Sequence, residues 1–259
     1  MSAYRFDDAE GYDRLMGRWS RAAGEAMLSW VAPRQGARWL DVGCGTGSFT
    51  GLIVETCLPC RVVAVDPERS LVAYANDRFA PGGVVQVSVA DACALPFERS
   101  SFDVVVSALV LNFVADIPRC LSEMVRVSSP GGMVCGYVWD FSTGRSPTWP
   151  LREALKRLGH PVPDAPGASR TMPATIENYL AKAGLHHAAT QVIEVRLNFN
   201  GFDEFWESQT AGSPIGKIIG KLSAVQRLDL QEQTRSQLSL AADGTFAYAA
   251  RAHAFKGTA

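Results

Sequence analysis

The sequence predicts an α/β fold built on a doubly wound, mostly parallel sheet. Three observations carry this. Short Val-rich runs recur along the first half of the chain, helical segments alternate with them, and a glycine-dense turn follows the first run. Continuous apolar runs suit strands covered on both faces, and a β/α alternation with one turn between elements means a parallel sheet with helices on either side.

The predicted strands are Ala37–Val42, Arg61–Val65, Val84–Ala90, Phe102–Ala108 and Met133–Trp139, with helices over Ser48–Thr56, Ser70–Phe79 and Ile117–Val127. In the last helix Ile117, Leu121, Met124 and Val125 fall on one stripe, and Ser128-Ser129-Pro130-Gly131-Gly132 reads as the turn that ends it. After Trp139 the rhythm changes. Prolines 147, 150, 161, 163, 166 and 173 crowd a loop around one short helix near Leu151–Leu158. A helix over Thr175–Ala183 is closed by Gly184, and a strand follows over His187–Leu197. Phe202–Leu240 reads as mostly helical, with breaks at Gly212–Gly216 and at Gly220. Asp243-Gly244 then turns the chain into a last strand over Thr245–Lys256.

Composition narrows the function. The 259 residues are 47% hydrophobic and 20% charged, enough to bury a full core, and a formal charge of −1 argues against a dedicated nucleic-acid surface. The N-terminal stretch is polar and acidic, unlike a secretory leader. The longest apolar run, Val104–Ala115, is interrupted by Ser107 and Asn112 and is too short to span a bilayer. A cytoplasmic protein without membrane contact is the expectation. Six cysteines show no ligand spacing. Cys57-Leu58-Pro59-Cys60 closes a helix instead of opening one, so neither a redox pair nor a zinc site is expected.

The chemistry concentrates in Trp39-Leu40-Asp41-Val42-Gly43-Cys44-Gly45-Thr46-Gly47-Ser48. An apolar strand runs into an acid and then a G-x-G-x-G turn that opens a helix, an arrangement that lets a ligand lie against main chain. A dinucleotide fingerprint places its third glycine one residue later, where Ser48 stands, and this disfavours an NAD(P) oxidoreductase. Asp66 ends the second predicted strand, where an acid is placed to accept hydrogen bonds from a ribose diol.

The pattern D-x-G-x-G-x-G closely resembles motif I of the class I S-adenosylmethionine (SAM) dependent methyltransferases, and more broadly the small-molecule group around ubiquinone and menaquinone biosynthesis. The resemblance is good from Trp39 to Trp139 and rests on element order elsewhere. It implies a seven-stranded, Rossmann-like sheet whose last strand is antiparallel, with SAM as cofactor. It assigns the cofactor to Asp41, Gly43, Cys44, Gly45, Thr46 and Gly47, to Asp66 and Pro67, to Asp91 and Ala92 at the adenine edge, and to Ala108 beside the methionine part. Asp41 either lies near the methionine amine or only ties down the turn. Asn112 is expected to face the site with Ala108, while Val110 and Leu111 are expected in the core. The segment Gly11–Ser20 resembles an N-terminal lid, with Tyr12 covering the cofactor and Arg18 pairing with its carboxylate.

The expected organisation is a lid over 1–35, a cofactor core over 36–197 and 241–259, and a helical cap over 198–240 that serves as lid or dimer interface. No catalytic residue is assigned, because the sulfonium already activates the methyl group, and no metal is expected, because no HxH, DxD or similar cluster stands out. The expected activity is in-line methyl transfer to a small, partly apolar acceptor. Alternatives are a SAM-binding domain without catalysis and a protein or RNA methyltransferase. A homodimer is left open.

Overall fold

The computed structural model describes residues 9–162, 164–165, 167–210 and 214–259, without the side chains of 9–15 and 214. A long helix, α1 (Ala9–Val31), leads into β1 (Arg38–Val42), α2 (Ser48–Cys57), β2 (Arg61–Asp66), α3 (Arg69–Arg78) and β3 (Val85–Val89). The chain then crosses to β4 (Phe102–Ala108), α4 (Ile117–Val127) and β5 (Ser128–Trp139). There follow α5 (Trp149–Arg157), α6 (Pro173–Lys182), β6 (His186–Phe199), α7 (Phe202–Thr210), α8 (Pro214–Ile219), α9 (Ala224–Arg235) and β7 (Phe246–Thr258).

The seven strands lie in the order β3-β2-β1-β4-β5-β7-β6. Pairing is parallel from β3 through β5, and β7 runs antiparallel to both neighbours. The direction of winding reverses between β1 and β4, which opens a crevice at the carboxyl ends of these strands.

Strand alternation divides the core between two faces. Trp39, Val104, Val106, Cys135 and Tyr137 pack toward Trp19, Ala23 and Met27 of α1 and Leu52 and Ile53 of α2. Leu40, Val63, Val105, Val134 and Val138 pack on the other face against Leu121 and Met124 of α4 and Ile176 and Leu180 of α6. Both faces of β1 are therefore covered, which is why its sequence reads as one apolar run.

Two expectations need correction. Ser128–Gly132 does not form a simple turn after α4. Ser128 already pairs with Phe102, and the register shifts before Val104 pairs with Met133. The extra residues include Gly131 at φ 75°, so β5 enters the sheet through an irregularity of the kind a glycine permits. Nor does Gly216 break the cap, since α8 runs through it and the amide of Gly220 bonds to its carbonyl. Residues 211–213, which include the start of that expected break, lie outside the described residues, and the second expected break, at Gly220, is present, since α8 ends at Ile219 and α9 begins at Ala224. The cap also shares the main core. Phe205 of α7 is fully buried against Phe199, Phe246 and Tyr248, with ring centroids 5.2–5.8 Å apart.

Candidate functional site

A cavity of about 460 Å³ opens at the carboxyl ends of β1, β2, β4 and β5. One wall is the glycine turn, with Gly43, Cys44, Gly45, Thr46, Ser48 and Phe49. A second is Asp66, Pro67, Glu68, Ser70 and Leu71. A third is Ala108, Leu109, Val110 and Phe113, and the far end is closed by Tyr137 of β5 and Ser20 of α1.

The turn is held from β2. The amides of Gly43 and Cys44 both donate to the carbonyl of Val65, at 2.7 and 2.9 Å, and the Gly45 amide donates to Asp66 Oδ2 at 3.0 Å. Gly43, Gly45 and Gly47 adopt φ of 80°, 54° and 78°, a region that side chains resist. Their reasons differ. A Cβ on Gly43 would stand 2.4 Å from the Val110 side chain, so the turn packs directly on the loop after β4, whereas a Cβ on Gly45 would meet nothing within 4 Å. Gly47 packs on Phe79 and stands behind the cavity wall.

Asp66 accepts a second amide, from Glu68, on Oδ1 at 2.9 Å, and burial pushes its pKa up. Each carboxylate oxygen keeps lone-pair capacity for a ligand hydroxyl. Asp41 lies beneath the turn and is fully buried. Its Oδ2 accepts the Thr50 hydroxyl at 2.6 Å, while Oδ1 has no hydrogen-bond partner. Desolvation pushes its pKa from 3.8 up to about 7, against the Thr50 hydrogen bond and with help from the Asp66 charge. Its partner is thus α2 and not the turn itself.

The structure gathers Gly43, Cys44, Gly45, Thr46, Asp66, Pro67 and Ala108 around the cavity and places other candidates elsewhere. Asp91 is exposed and folds back on its own loop, its Oδ1 accepting the Cys93 amide at 2.8 Å, and neither it nor Ala92 lines the cavity. Arg18 donates to Glu204 Oε1 at 2.7 Å and to the Asn198 carbonyl at 2.9 Å, away from the cavity. At roughly 100° per residue, Arg18 and Ser20 point to different sides of α1. The cavity takes Ser20. The side chain of Tyr12 lies outside the described residues.

Leu111 is core, as expected, but Val110 faces the cavity and Asn112 does not. Asn112 is buried under Gly167, where a Cβ would come within 2.4 Å of the Asn112 carbonyl. The intervening Leu109 adopts φ 62°, which re-aims the loop, and its amide bonds to the Tyr137 carbonyl at 2.8 Å.

Sequence reasoning missed Ser20, Tyr137, Leu109 and Phe113 as wall residues. Phe49, Glu68 and Leu71 were recoverable, because each lies within five residues of a motif it shares a wall with. His253 is a buried sheet residue, with Nε2 3.4 Å from Asp140 Oδ1 and no hydrogen bond on either ring nitrogen. All six cysteines are free, and among the described residues no group of three or more His, Cys, Asp or Glu is arranged to hold a metal. No described helix is long and apolar enough to cross a membrane.

Residues 40–136 match the family model described as a methyltransferase domain. The chain is 30% identical over 190 residues to the ubiquinone/menaquinone biosynthesis C-methyltransferase of Burkholderia mallei, covering 72% of this chain and 76% of that one. It is 31% identical over 138 residues to the malonyl-[acyl-carrier protein] O-methyltransferase of Pectobacterium atrosepticum, covering 51% and 50%. It spans about half the length of the first curated relatives it matches. Among solved structures, phosphoethanolamine N-methyltransferase 2 of Haemonchus contortus, bound to phosphomonomethylethanolamine and S-adenosylhomocysteine, superposes with a TM-score of 0.60. The identity is 21%, over 96% of this chain and 56% of that one, a likeness of fold. By this relationship, and by the seven-stranded sheet with its glycine turn, the chain belongs to the class I SAM-dependent methyltransferases.

Proposed function

We propose that this enzyme transfers the methyl group of SAM to a small, partly apolar acceptor, and that the cavity between the glycine turn and Asp66 is the cofactor site. The observation that carries the reading is the charge of that cavity. Asp66 and Glu68 stand in its wall and Asp41 lies just beneath. A pyrophosphate would be repelled here despite the N-terminus of α2, whereas a ligand with a ribose diol, an ammonium and a sulfonium fits.

In this reading Asp66 takes the ribose hydroxyls. Gly43, Cys44, Gly45 and Thr46 offer main chain along the ligand, Pro67 and Leu71 flank the adenine, and the backbone at Ala108 runs beside the methionine part. The unpartnered Asp41 Oδ1 supports a role toward the ammonium, directly or through water. Asp91, Ala92, Arg18 and Gly47 have no part in this assignment.

Bound SAM supplies an electrophilic methyl group on sulfur. The chain has to hold the acceptor in line with that bond and exclude water, and positioning of this kind is worth roughly 7–11 kcal/mol of barrier. Leu109, Val110 and Phe113 form an apolar wall suited to that task. The curated relatives are named for acceptors in quinone biosynthesis and for malonyl-[acyl-carrier protein], which supports an acceptor that is not a nucleic acid. We assign acceptor choice to the cap over 198–240 and to the proline-rich loop before α6.

The test has two parts. Calorimetry should show SAM binding by the wild type. Incubation with SAM and a metabolite extract should give S-adenosylhomocysteine together with a product heavier by one methyl. Binding without turnover on any extract would leave a SAM-binding domain in place of the enzyme proposed here.

A further inference from the structure

The cavity has two chemically different ends. In the sheet order, β2 and β5 stand three positions apart, so the Asp66 end and the Tyr137–Ser20 end are separated by about 14 Å at the usual strand spacing. One end carries Asp66 and Glu68. At the other, Ser20 belongs to the cavity wall, and its hydroxyl is buried without a hydrogen-bond partner.

Ser20 is also held firmly. The Tyr137 hydroxyl donates to the Ser20 carbonyl at 3.1 Å, and the Tyr137 ring meets Phe49 edge-on at 5.9 Å. Trp19 and Ala23, on either side of it along α1, are buried in the core. The hydroxyl therefore sits on a fixed turn of helix, where a lone buried donor is costly unless a ligand completes it.

We propose that Ser20 Oγ is a direct, uncharged hydrogen-bond contact for the carboxylate of bound SAM. This rests on the cofactor site proposed above. A ligand held by its ribose at Asp66 must send its carboxylate away from Asp66 and Glu68, toward β4 and β5, and Ser20 is the buried donor waiting there. The ammonium stays nearer Asp41, so the amino acid end is read by one acid and one hydroxyl. The role expected of Arg18 passes to the residue two positions on, because the Arg18 guanidinium is engaged by Glu204 and Asn198.

The experiment is calorimetry of the full chain with two ligands, S-adenosylhomocysteine and its decarboxylated analogue. The wild type should prefer the first. Ser20→Ala should weaken S-adenosylhomocysteine by about tenfold or more, in line with loss of a hydrogen bond to a charged group, and leave the decarboxylated analogue within twofold. Ser20→Thr, which keeps the hydroxyl, should retain the preference. Thermal melting of each variant confirms that it is folded. Equal losses for both ligands, no loss for either, or an effect confined to the KM of the acceptor would each overturn the assignment. Failure of the wild type to bind either ligand would instead sink the proposed cofactor site.

Discussion

The Gly45 amide donates to the Asp66 carboxylate at 3.0 Å, so the turn after β1 and the acid at the end of β2 form one unit. The same carboxylate takes the Glu68 amide at 2.9 Å. Asp66 thus shapes the cavity as well as facing it, and a variant there removes the proposed ribose contact and the brace of the turn together.

Asp66→Ala should therefore weaken SAM by roughly a hundredfold or more, since two hydrogen bonds to a charged acceptor are worth about 1.5–3 kcal/mol each. Asp66→Asn should lose less. Its amide oxygen can still take one backbone N–H, but its NH₂ cannot accept the second. Calorimetry on folded proteins decides the matter, and an Asp66→Ala variant with near wild-type affinity would remove the ribose assignment.

Gly43 and Gly45 should fail for different reasons. Gly43→Ala suffers positive φ and also drives a methyl to 2.4 Å from Val110, whereas Gly45→Ala suffers only the backbone term. Overpacking typically costs about 1–3 kcal/mol beyond the strain. Denaturant unfolding should rank Gly43→Ala as the less stable variant, with Val110→Ala restoring part of its loss. Gly45→Val should leave much of the fold intact and abolish SAM binding, because its larger side chain enters the cavity. Equal stabilities for the two alanine variants, with no coupling to Val110, would contradict the packing argument.

Asp41 should make both stability and binding depend on pH. Its pKa lies at about 7 in the folded protein against an ordinary 3.8, so the folded state holds a proton that the unfolded state has lost. Its stabilising contribution is present in full below pH 4 and disappears as pH rises through 7. At about 1.4 kcal/mol per pKa unit the cost of ionisation is on the order of 4 kcal/mol at most. Asp41→Asn should therefore raise the melting temperature of the ligand-free protein at pH 8 and change little at pH 4. If Asp41 receives the ammonium, wild-type SAM affinity should rise with pH up to about 7 and then level off, with proton release measurable by calorimetry in two buffers. A flat profile would confine Asp41 to holding α2 through Thr50.

These predictions draw on parts of the molecule that were unequally legible in the sequence. The bounds expected for α4 match because its stripe is clear and Asp116 caps it, the carboxylate accepting the Arg119 amide while Pro118 sits in the first turn. The doubly wound class was legible because βα alternation is local. The directions of Val110 and Asn112 were not. They depend on the positive φ of Leu109 and on Gly167, which is distant in sequence yet packs against Asn112. Tyr137 read as one more apolar residue in a strand. Its role at the cavity depends on where α1 docks, and no local pattern encodes that.

Arg18 tests this distinction most directly. A basic residue on an N-terminal helix reads as a partner for a ligand carboxylate, yet its guanidinium lies over Phe199, 5.3 Å from the ring centroid, and pairs with Glu204. Both side chains are substantially exposed, at 53% and 34%, so the pair should contribute no more than about 1 kcal/mol. Arg18→Ala should then leave SAM affinity within twofold and lower stability slightly, and Glu204→Gln, which also touches the Asn200 contacts, should likewise leave SAM affinity within twofold. A double-mutant cycle on denaturant midpoints should isolate the shared Arg18–Glu204 term from the Asn198 and Phe199 contacts of Arg18 and the Asn200 contacts of Glu204. A tenfold loss of SAM affinity in Arg18→Ala, absent in Glu204→Gln, would return the carboxylate to Arg18 and take it from Ser20.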